Sequence, residues 1–252
     1  MTMDIFTHKK PPYICTSLTG KNKEEIRDEL NTVIPKQPDV IEWRADFLKD
    51  IHHVNYVLMI AEEISSISNK PMIVTIRSER EGGQKISLTE DEKVHLLSEL
   101  CKSPAVNSID FEVSNDPEHI KELRRISKSH NKKLILSYHN FDFTPENETI
   151  MQQAIKSESY GADIAKVAVM PEHKDDVLLL LNVTKEMDDD LRIPIITMSM
   201  GDIGSLSRIV GWAYGSIMTF GIGVQRSAPG QIPIDKLKQI IEMTQETVGD
   251  WK

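Results

Sequence analysis

The 252-residue chain has only two cysteines, Cys15 and Cys101, far apart in the sequence. They make neither a disulfide framework nor a metal-ligand spacing, which points to a reducing compartment. No run reaches the roughly 18 apolar residues of a membrane span, and the opening MTMDIFTHKKPPY lacks the apolar centre of a secretory signal. A cytoplasmic protein is expected. Positive charge is in deficit, with a formal net charge of −9. That argues against a nucleic-acid or anionic-membrane binder while leaving room for a local basic site. HExxH, Walker A, EF-hand and GxSxG patterns are all missing. No GxGxxG follows the first apolar run, where Thr19-Gly20 leads straight into a charged segment. His52-His53 adjoin a helix start and are expected to point apart, so no metal site is expected there. No proline- or glycine-rich linker divides the chain, so residues 1–252 read as one domain.

What the chain does have is alternation. Eight short apolar runs occur at 13–18, 39–45, 71–77, 107–113, 133–139, 163–169, 194–200 and 217–221. Eight helix-like segments follow them in turn, at 22–34, 54–67, 89–100, 116–129, 145–159, 173–187, 204–215 and 235–248. Two helix starts carry explicit signals. Thr89 precedes three acids, and Thr144-Pro145-Glu146 sets a cap, a proline and an acid in sequence. The runs are mostly apolar rather than alternating, as in parallel strands covered by helices. Eight β-α repeats in a chain of about this length predict one closed (β/α)8 TIM barrel.

A barrel places its chemistry at the C-terminal ends of its strands. There the second run carries Glu42, Arg44 and Asp46, which a period of two sets on one side. The third ends in Arg77, the fourth carries Asp110 and Glu112, and the fifth ends at His139. The sixth carries Lys166 and the seventh Met198 and Met200, while the eighth leads through Phe220 into the loop GIGVQRSAPGQ.

Each of these has an ordinary alternative. The acids and arginines could form ion pairs filling a polar layer. His139 could be a hydrogen-bonded structural histidine. The methionines suit packing, and Lys166 could be half of a buried ion pair. Together they suggest more, because the lysine and the histidine lie on adjacent strands. A lysine among apolar neighbours is expected to have its neutral form favoured. A neutral amine attacks a ketone to give a Schiff base, and a histidine beside it can move the neighbouring proton. Arg44, Arg77, Arg80 and Arg208 would suit an anionic substrate. A Schiff-base aldolase would share the barrel and the lysine.

The ordered blocks EWRAD (42–46), TIRSEREGG (75–83), IDFEV (109–113), SYHNF (137–141) and DIAKVAVMP (163–171) resemble the type I 3-dehydroquinate dehydratases. So do ITMSMG (196–201), Ser207-Arg208, TFG (219–221) and SAPGQIP (227–233), and the match runs in order nearly end to end, from ICTSLTG at the first apolar run to SAPGQI after the last. An aldolase lacks the paired motifs EWRAD and SYHNF. The resemblance implies dehydration of 3-dehydroquinate to 3-dehydroshikimate by syn elimination, without cofactor or metal, in a cytoplasmic homodimer. It implies that Lys166 forms the Schiff base, that His139 is the general acid and base, and that Glu81 orients it. Glu42, Arg44 and Arg77 would hold substrate hydroxyls, and Arg208 the substrate carboxylate. Ser227, Ala228 and Gln231 would come from a closing loop, and Met198, Met200 and Phe220 would wall the imine. A short N-terminal hairpin from about residue 4 is expected to close the barrel bottom.

Overall fold

The computed structural model describes residues 12–248. The expected N-terminal hairpin falls largely outside the described residues. Eight parallel strands form one sheet: β1 (Tyr13–Leu18), β2 (Val40–Arg44), β3 (Met72–Thr75), β4 (Ser108–Glu112), β5 (Lys133–Asn140), β6 (Ile164–Val169), β7 (Ile195–Ser199) and β8 (Met218–Gly221). Each strand pairs with the next in sequence from β1 to β7, and β1 also pairs with β8. The remaining seam is drawn together by a bridge between Ile195 and Ser216 and by the Ile217 N–H, 2.9 Å from Ile195 O. The result is the nearly closed (β/α)8 barrel that the eight repeats predict.

Helices α1 (Lys23–Val33), α2 (Val54–Ser68), α3 (Glu90–Lys102) and α4 (Pro117–Ser129) cover one half of the barrel. Helices α5 (Asn147–Ser159), α6 (Lys174–Asp190), α7 (Gly201–Val210) and α8 (Ile234–Val248) cover the other. Thr89 caps α3 as expected, in a reciprocal capping box with Glu92. The expectation at Thr144 fails. Helix α5 begins only at Asn147, and the Thr144 hydroxyl instead donates to Met170 O at 2.9 Å. A tertiary acceptor has displaced the local capping role. The segment expected as one helix over 204–215 begins earlier, at Gly201. Beyond Val210 it tightens into a 3₁₀ turn over Gly211–Tyr214, which Gly215 ends at φ 107°.

The pleat sorts the side chains into two cores. Outward residues such as Ile41, Trp43, Val74, Ile109 and Leu136 pack with the helices. Inward residues Tyr13, Cys15, Val40, Ile73, Ile135, Ile164, Ile196 and Met218 pack together inside the barrel. Climbing toward the C-terminal strand ends, the inward rows of β2 to β6 turn polar. Glu42, Thr75, Asp110, Ser137 and Lys166 stand above the apolar floor and are all buried.

One part of the His52-His53 expectation fails: the two side chains do not point apart. The His53 N–H bonds Asp50 O at 3.0 Å in a tight turn, so the backbone is not regular there. The two rings lie with centroids 4.0 Å apart, tilted 46° to each other. Asp50 joins them in an exposed cluster whose potential ligand atoms lie within 4.8 Å of one another.

Candidate active site

Lys166 projects from the middle of β6 into the barrel mouth. Its Nζ lies 2.9 Å from Asp110 Oδ2 and 3.5 Å from Glu42 Oε1. It also sits 4.6 Å from the centre of the Phe220 ring. This corrects the expectation of apolar surroundings. Ala165 and Val167, its neighbours in sequence, belong to the outer core against the helices. The groups that meet the amine are two carboxylates and one aromatic face.

Those carboxylates are themselves fixed. Glu42 Oε2 accepts from the Ser17 hydroxyl at 2.5 Å, and Oε1 accepts from Thr75 at 3.0 Å. Burial pushes the Glu42 carboxyl up, but Lys166 and then Arg44 outweigh it and hold it below its ordinary value. Asp110 Oδ1 accepts from Arg77 Nη2 at 2.7 Å and from the Ser137 hydroxyl at 2.6 Å. Burial opposes its charge as well, yet Arg77 and then Lys166 keep Asp110 ionised, far below the usual carboxylate range. Arg77 also meets Glu112 at 3.4 Å and Ser137 at 2.7 Å. Arg44 lies in a two-point bond with Asp46, 2.8 Å at each contact. Asp46 has left the strand for a short 3₁₀ turn over Ala45–Phe47, so the strand period does not carry it into the pocket with Glu42 and Arg44. It braces the loop after β3 through the Arg77 and Gln84 N–H groups.

His139, at the end of β5, is held from behind. Its Nδ1 lies 2.9 Å from Glu81 Oε2, which also accepts the His139 backbone N–H at 3.0 Å. Glu81 Oε1 accepts from the Ser114 hydroxyl at 2.9 Å. Burial raises the Glu81 carboxyl, Arg77 opposes this, Glu112 adds to it, and the outcome is a pKa of about 7. Burial also lowers the His139 imidazole well below its usual value, and the Arg77 and Lys166 cations act in the same direction. The histidine is therefore neutral, with Nδ1 engaged by Glu81 and Nε2 left as the free nitrogen.

Arg208 enters from α7, only 2% exposed. It donates to Phe220 O at 3.3 Å and to Pro229 O at 3.0 Å, and its Nε has no hydrogen-bond partner. No carboxylate among the described residues forms an ion pair with it, and burial lowers it to about 10. The loop after β8 closes over the mouth. Ser227 donates to Ser17 at 3.0 Å, and Gln231 donates to Ser227 at 3.0 Å. Gly230 there has φ 74°, and a side chain on it would meet Gly201 O at 2.0 Å, so glycine is required.

One pocket is lined by every residue to which the resemblance gives a role: Lys166, His139, Glu81, Glu42, Arg44, Arg77, Arg208, Ser227, Ala228, Gln231, Met198, Met200 and Phe220. Asp46, Asp110, Glu112 and Arg80, also singled out in the sequence, are not part of that lining, and Arg80 bonds Ser114 at 2.6 Å in an exposed contact. Ser17, Gly82, Phe141 and Ala168 line it too and were not foreseen. Ser17 immediately precedes Leu18-Thr19-Gly20 near the end of β1, and the strand-end rule applied to that run would have found it.

The comparisons agree with this architecture. The family model for type I 3-dehydroquinase matches residues 14–248. A 3-dehydroquinate dehydratase of Geobacillus sp. (strain WCH70) is 48% identical over 93% of this chain and 91% of its own. The crystal structure of 3-dehydroquinate dehydratase from Geobacillus kaustophilus HTA426 has a TM-score of 0.92 at 43% identity, covering 95% of this chain and 93% of that one. A type I 3-dehydroquinate dehydratase from Clostridium difficile, solved with covalent modified comenic acid, has a TM-score of 0.91 at 35% identity, covering 95% and 94%. The chain belongs to the type I 3-dehydroquinases, a family of hydro-lyases whose members bear the name 3-dehydroquinate dehydratase.

Proposed function

We propose that this chain dehydrates 3-dehydroquinate to 3-dehydroshikimate in the shikimate pathway through a Schiff base on Lys166. The observation that carries the reading is the pairing of two groups in one pocket. A buried lysine presents Nζ beside Phe220, and a histidine fixed through Nδ1 presents its free Nε2 to the same space. In this reading Nζ condenses with the C3 ketone and releases water. The iminium acidifies C2, and His139 Nε2 takes that proton. The resulting enamine expels the C1 hydroxyl, which leaves as water with the proton His139 returns. Hydrolysis then frees the product.

The remaining residues bind and orient. Among the described residues Arg208 forms no ion pair with a carboxylate, and it suits the substrate carboxylate. Glu42, Arg44 and Arg77 suit its hydroxyls. Ser227, Ala228 and Gln231 close the mouth against water, while Met198, Met200 and Phe220 form the apolar wall. The comenic acid complex of the relative is in keeping with covalent chemistry in such a pocket. The same reading takes the barrel as the whole catalytic domain of a cytoplasmic homodimer that needs no cofactor. The net charge of −9 supports a small-molecule partner over nucleic acid. Among the described residues, no helix is long and apolar enough to cross a membrane.

The test is borohydride reduction in the presence of 3-dehydroquinate. One reduced adduct per chain is expected by intact mass, mapped to the peptide containing Lys166. Turnover should yield an ultraviolet-absorbing enone acid. Cleavage of a carbon–carbon bond would favour an aldolase, and an adduct elsewhere would sink the mechanism.

A pH dependence follows. Glu81 titrates at about 7 in the free protein. Above that pH its carboxylate accepts the Nδ1 proton and leaves Nε2 as a base. Below it, a protonated Glu81 donates to Nδ1, and the imidazole proton moves to Nε2. We expect kcat/KM to fall about tenfold per unit on the acid side of pH 7, as one essential group protonates. A flat profile between pH 5 and pH 8 would contradict this role for Glu81.

A further inference from the structure

We propose that Asp110 is a catalytic residue, the fixed counterion that pairs with the Lys166 nitrogen as an ammonium before condensation and as an iminium after it. This rests on the Schiff-base reading above and assigns the charge that the reading leaves unplaced.

The geometry is one-sided. Asp110 Oδ1 is taken up by Arg77 and Ser137, at 2.7 and 2.6 Å, which turns Oδ2 toward Lys166 Nζ at 2.9 Å. The residue is 1% exposed, so water does not screen the pair. It reaches Lys166 from β4, across the intervening strand β5, which itself supplies Ser137 as a brace. Glu42, the other acid near the amine, stands farther off at 3.5 Å and is engaged by Ser17 and Thr75. The charged and titratable groups around Asp110 are Arg77 from β3, Lys166 from β6 and His139 from β5.

The chemistry explains why a fixed anion belongs there. Overall, an ammonium and a ketone give an iminium and water, once the nitrogen has released a proton and its lone pair can attack. A C=N bond forms, the C=O bond breaks, and the oxygen leaves with two of the three ammonium protons. The nitrogen keeps the third proton, and the charge at nitrogen is +1 on both sides. A carboxylate already oriented on that nitrogen therefore needs no rearrangement during condensation, which is the advantage of a preorganised site. Removal of the C2 proton neutralises the nitrogen, and loss of the C1 hydroxyl restores its charge. The counterion is thus in place when the product iminium forms. Because Asp110 shares its charge with Arg77, it supports the iminium without holding it so firmly that the C2 proton cannot leave.

The test uses the full-length Asp110→Asn variant, which keeps the shape and removes the charge. We expect kcat/KM to fall about a hundredfold, as for loss of a buried electrostatic contact to a reacting group. The borohydride-trapped fraction at saturating 3-dehydroquinate should fall with it. Lys166 itself should be acetylated by acetic anhydride about tenfold faster at pH 8, because its ammonium has lost its partner. A merely structural role would not raise lysine reactivity while lowering turnover. A variant with wild-type circular dichroism, trapping and acetylation would overturn the proposal. Absence of trapping in the wild type would instead sink the Schiff-base reading. If Asp110→Asn does not fold, Ser137→Ala frees one brace of Oδ1. Condensation slower by about fivefold, the loss of one hydrogen bond, then supports the assignment, and an unchanged rate overturns it.

Discussion

Lys166→Ala is expected to reduce turnover of 3-dehydroquinate by on the order of 10⁵ or more, since the reaction loses a nucleophile held within the site. Borohydride should then leave the protein mass unchanged. Among the residues lining the pocket, Lys166 is the one primary amine, and the arginines beside it remain protonated at working pH. Arg77 in particular is held further above its ordinary value by Asp110 and Glu112, which outweigh its burial.

The same variant carries a stability signature. Glu42 and Asp110 both lose a cation, but Asp110 keeps Arg77 at 2.7 Å. Glu42 loses the largest of the influences that offset its burial. In the native protein its lowered pKa contributes stability above the unfolded value, lost as pH falls through the folded one. Without Lys166, burial dominates, the folded pKa rises, and the contribution reverses sign at neutral pH. Urea unfolding should therefore show a loss of roughly 3 kcal/mol at pH 7, the cost of leaving a buried charge without its partner. The loss should shrink on acidification toward the pKa of an ordinary glutamate. A Lys166→Ala protein with wild-type turnover, or one trapped by borohydride at another residue, would refute the covalent role.

Lys166 also marks the boundary of what the sequence could disclose. The eight apolar runs located every strand because a buried parallel strand must be apolar on both faces. The polar residues interrupting those runs located the pocket because a barrel collects its strand ends at one mouth. Neither pattern names partners across the barrel. Ala165 and Val167 flank Lys166 in the chain, yet the pleat turns them to the helices, so they describe the opposite side of the strand. The true neighbour, Asp110, is 56 positions away and two strands over. Its partnership depends on strand register and barrel closure.

Local signals misled for a related reason. Thr144 has the residue type of a cap but spends its hydroxyl on Met170, brought near by β6. His52 and His53 would diverge in a regular backbone, but the turn at Asp50 folds them together. Glu81 is a different case. The motif resemblance singled it out, and only the fold shows what it touches: Ser114 anchors one oxygen while the other holds both the ring and the backbone of His139.

His139→Ala should separate bond formation from elimination. The lysine, its counterions and the Arg208 anchor all remain, so 3-dehydroquinate still condenses with Lys166, slowly, because the histidine no longer relays protons. What fails is removal of the C2 proton. Loss of a positioned general base costs about 10²–10⁴ in rate, and the same side chain also returns a proton to the leaving hydroxyl. We therefore expect a fall near the upper end of that range. The enzyme should stall as an adduct that borohydride fixes at the mass of bound, undehydrated substrate. The fold should survive the substitution, because Glu81 keeps the Ser114 hydroxyl and the backbone N–H of residue 139 as donors. With the imidazole gone, no side chain lining the pocket is hydrogen-bonded to Glu81 among the described residues, so added imidazole should restore part of the lost rate. The decisive comparison is the trapped species over time. Undehydrated adduct accumulating while product does not appear supports the assignment of proton transfer to His139. A folded variant in which no adduct ever forms would move that role to condensation alone, and dehydrated adduct forming at the wild-type rate would remove the histidine from the chemistry.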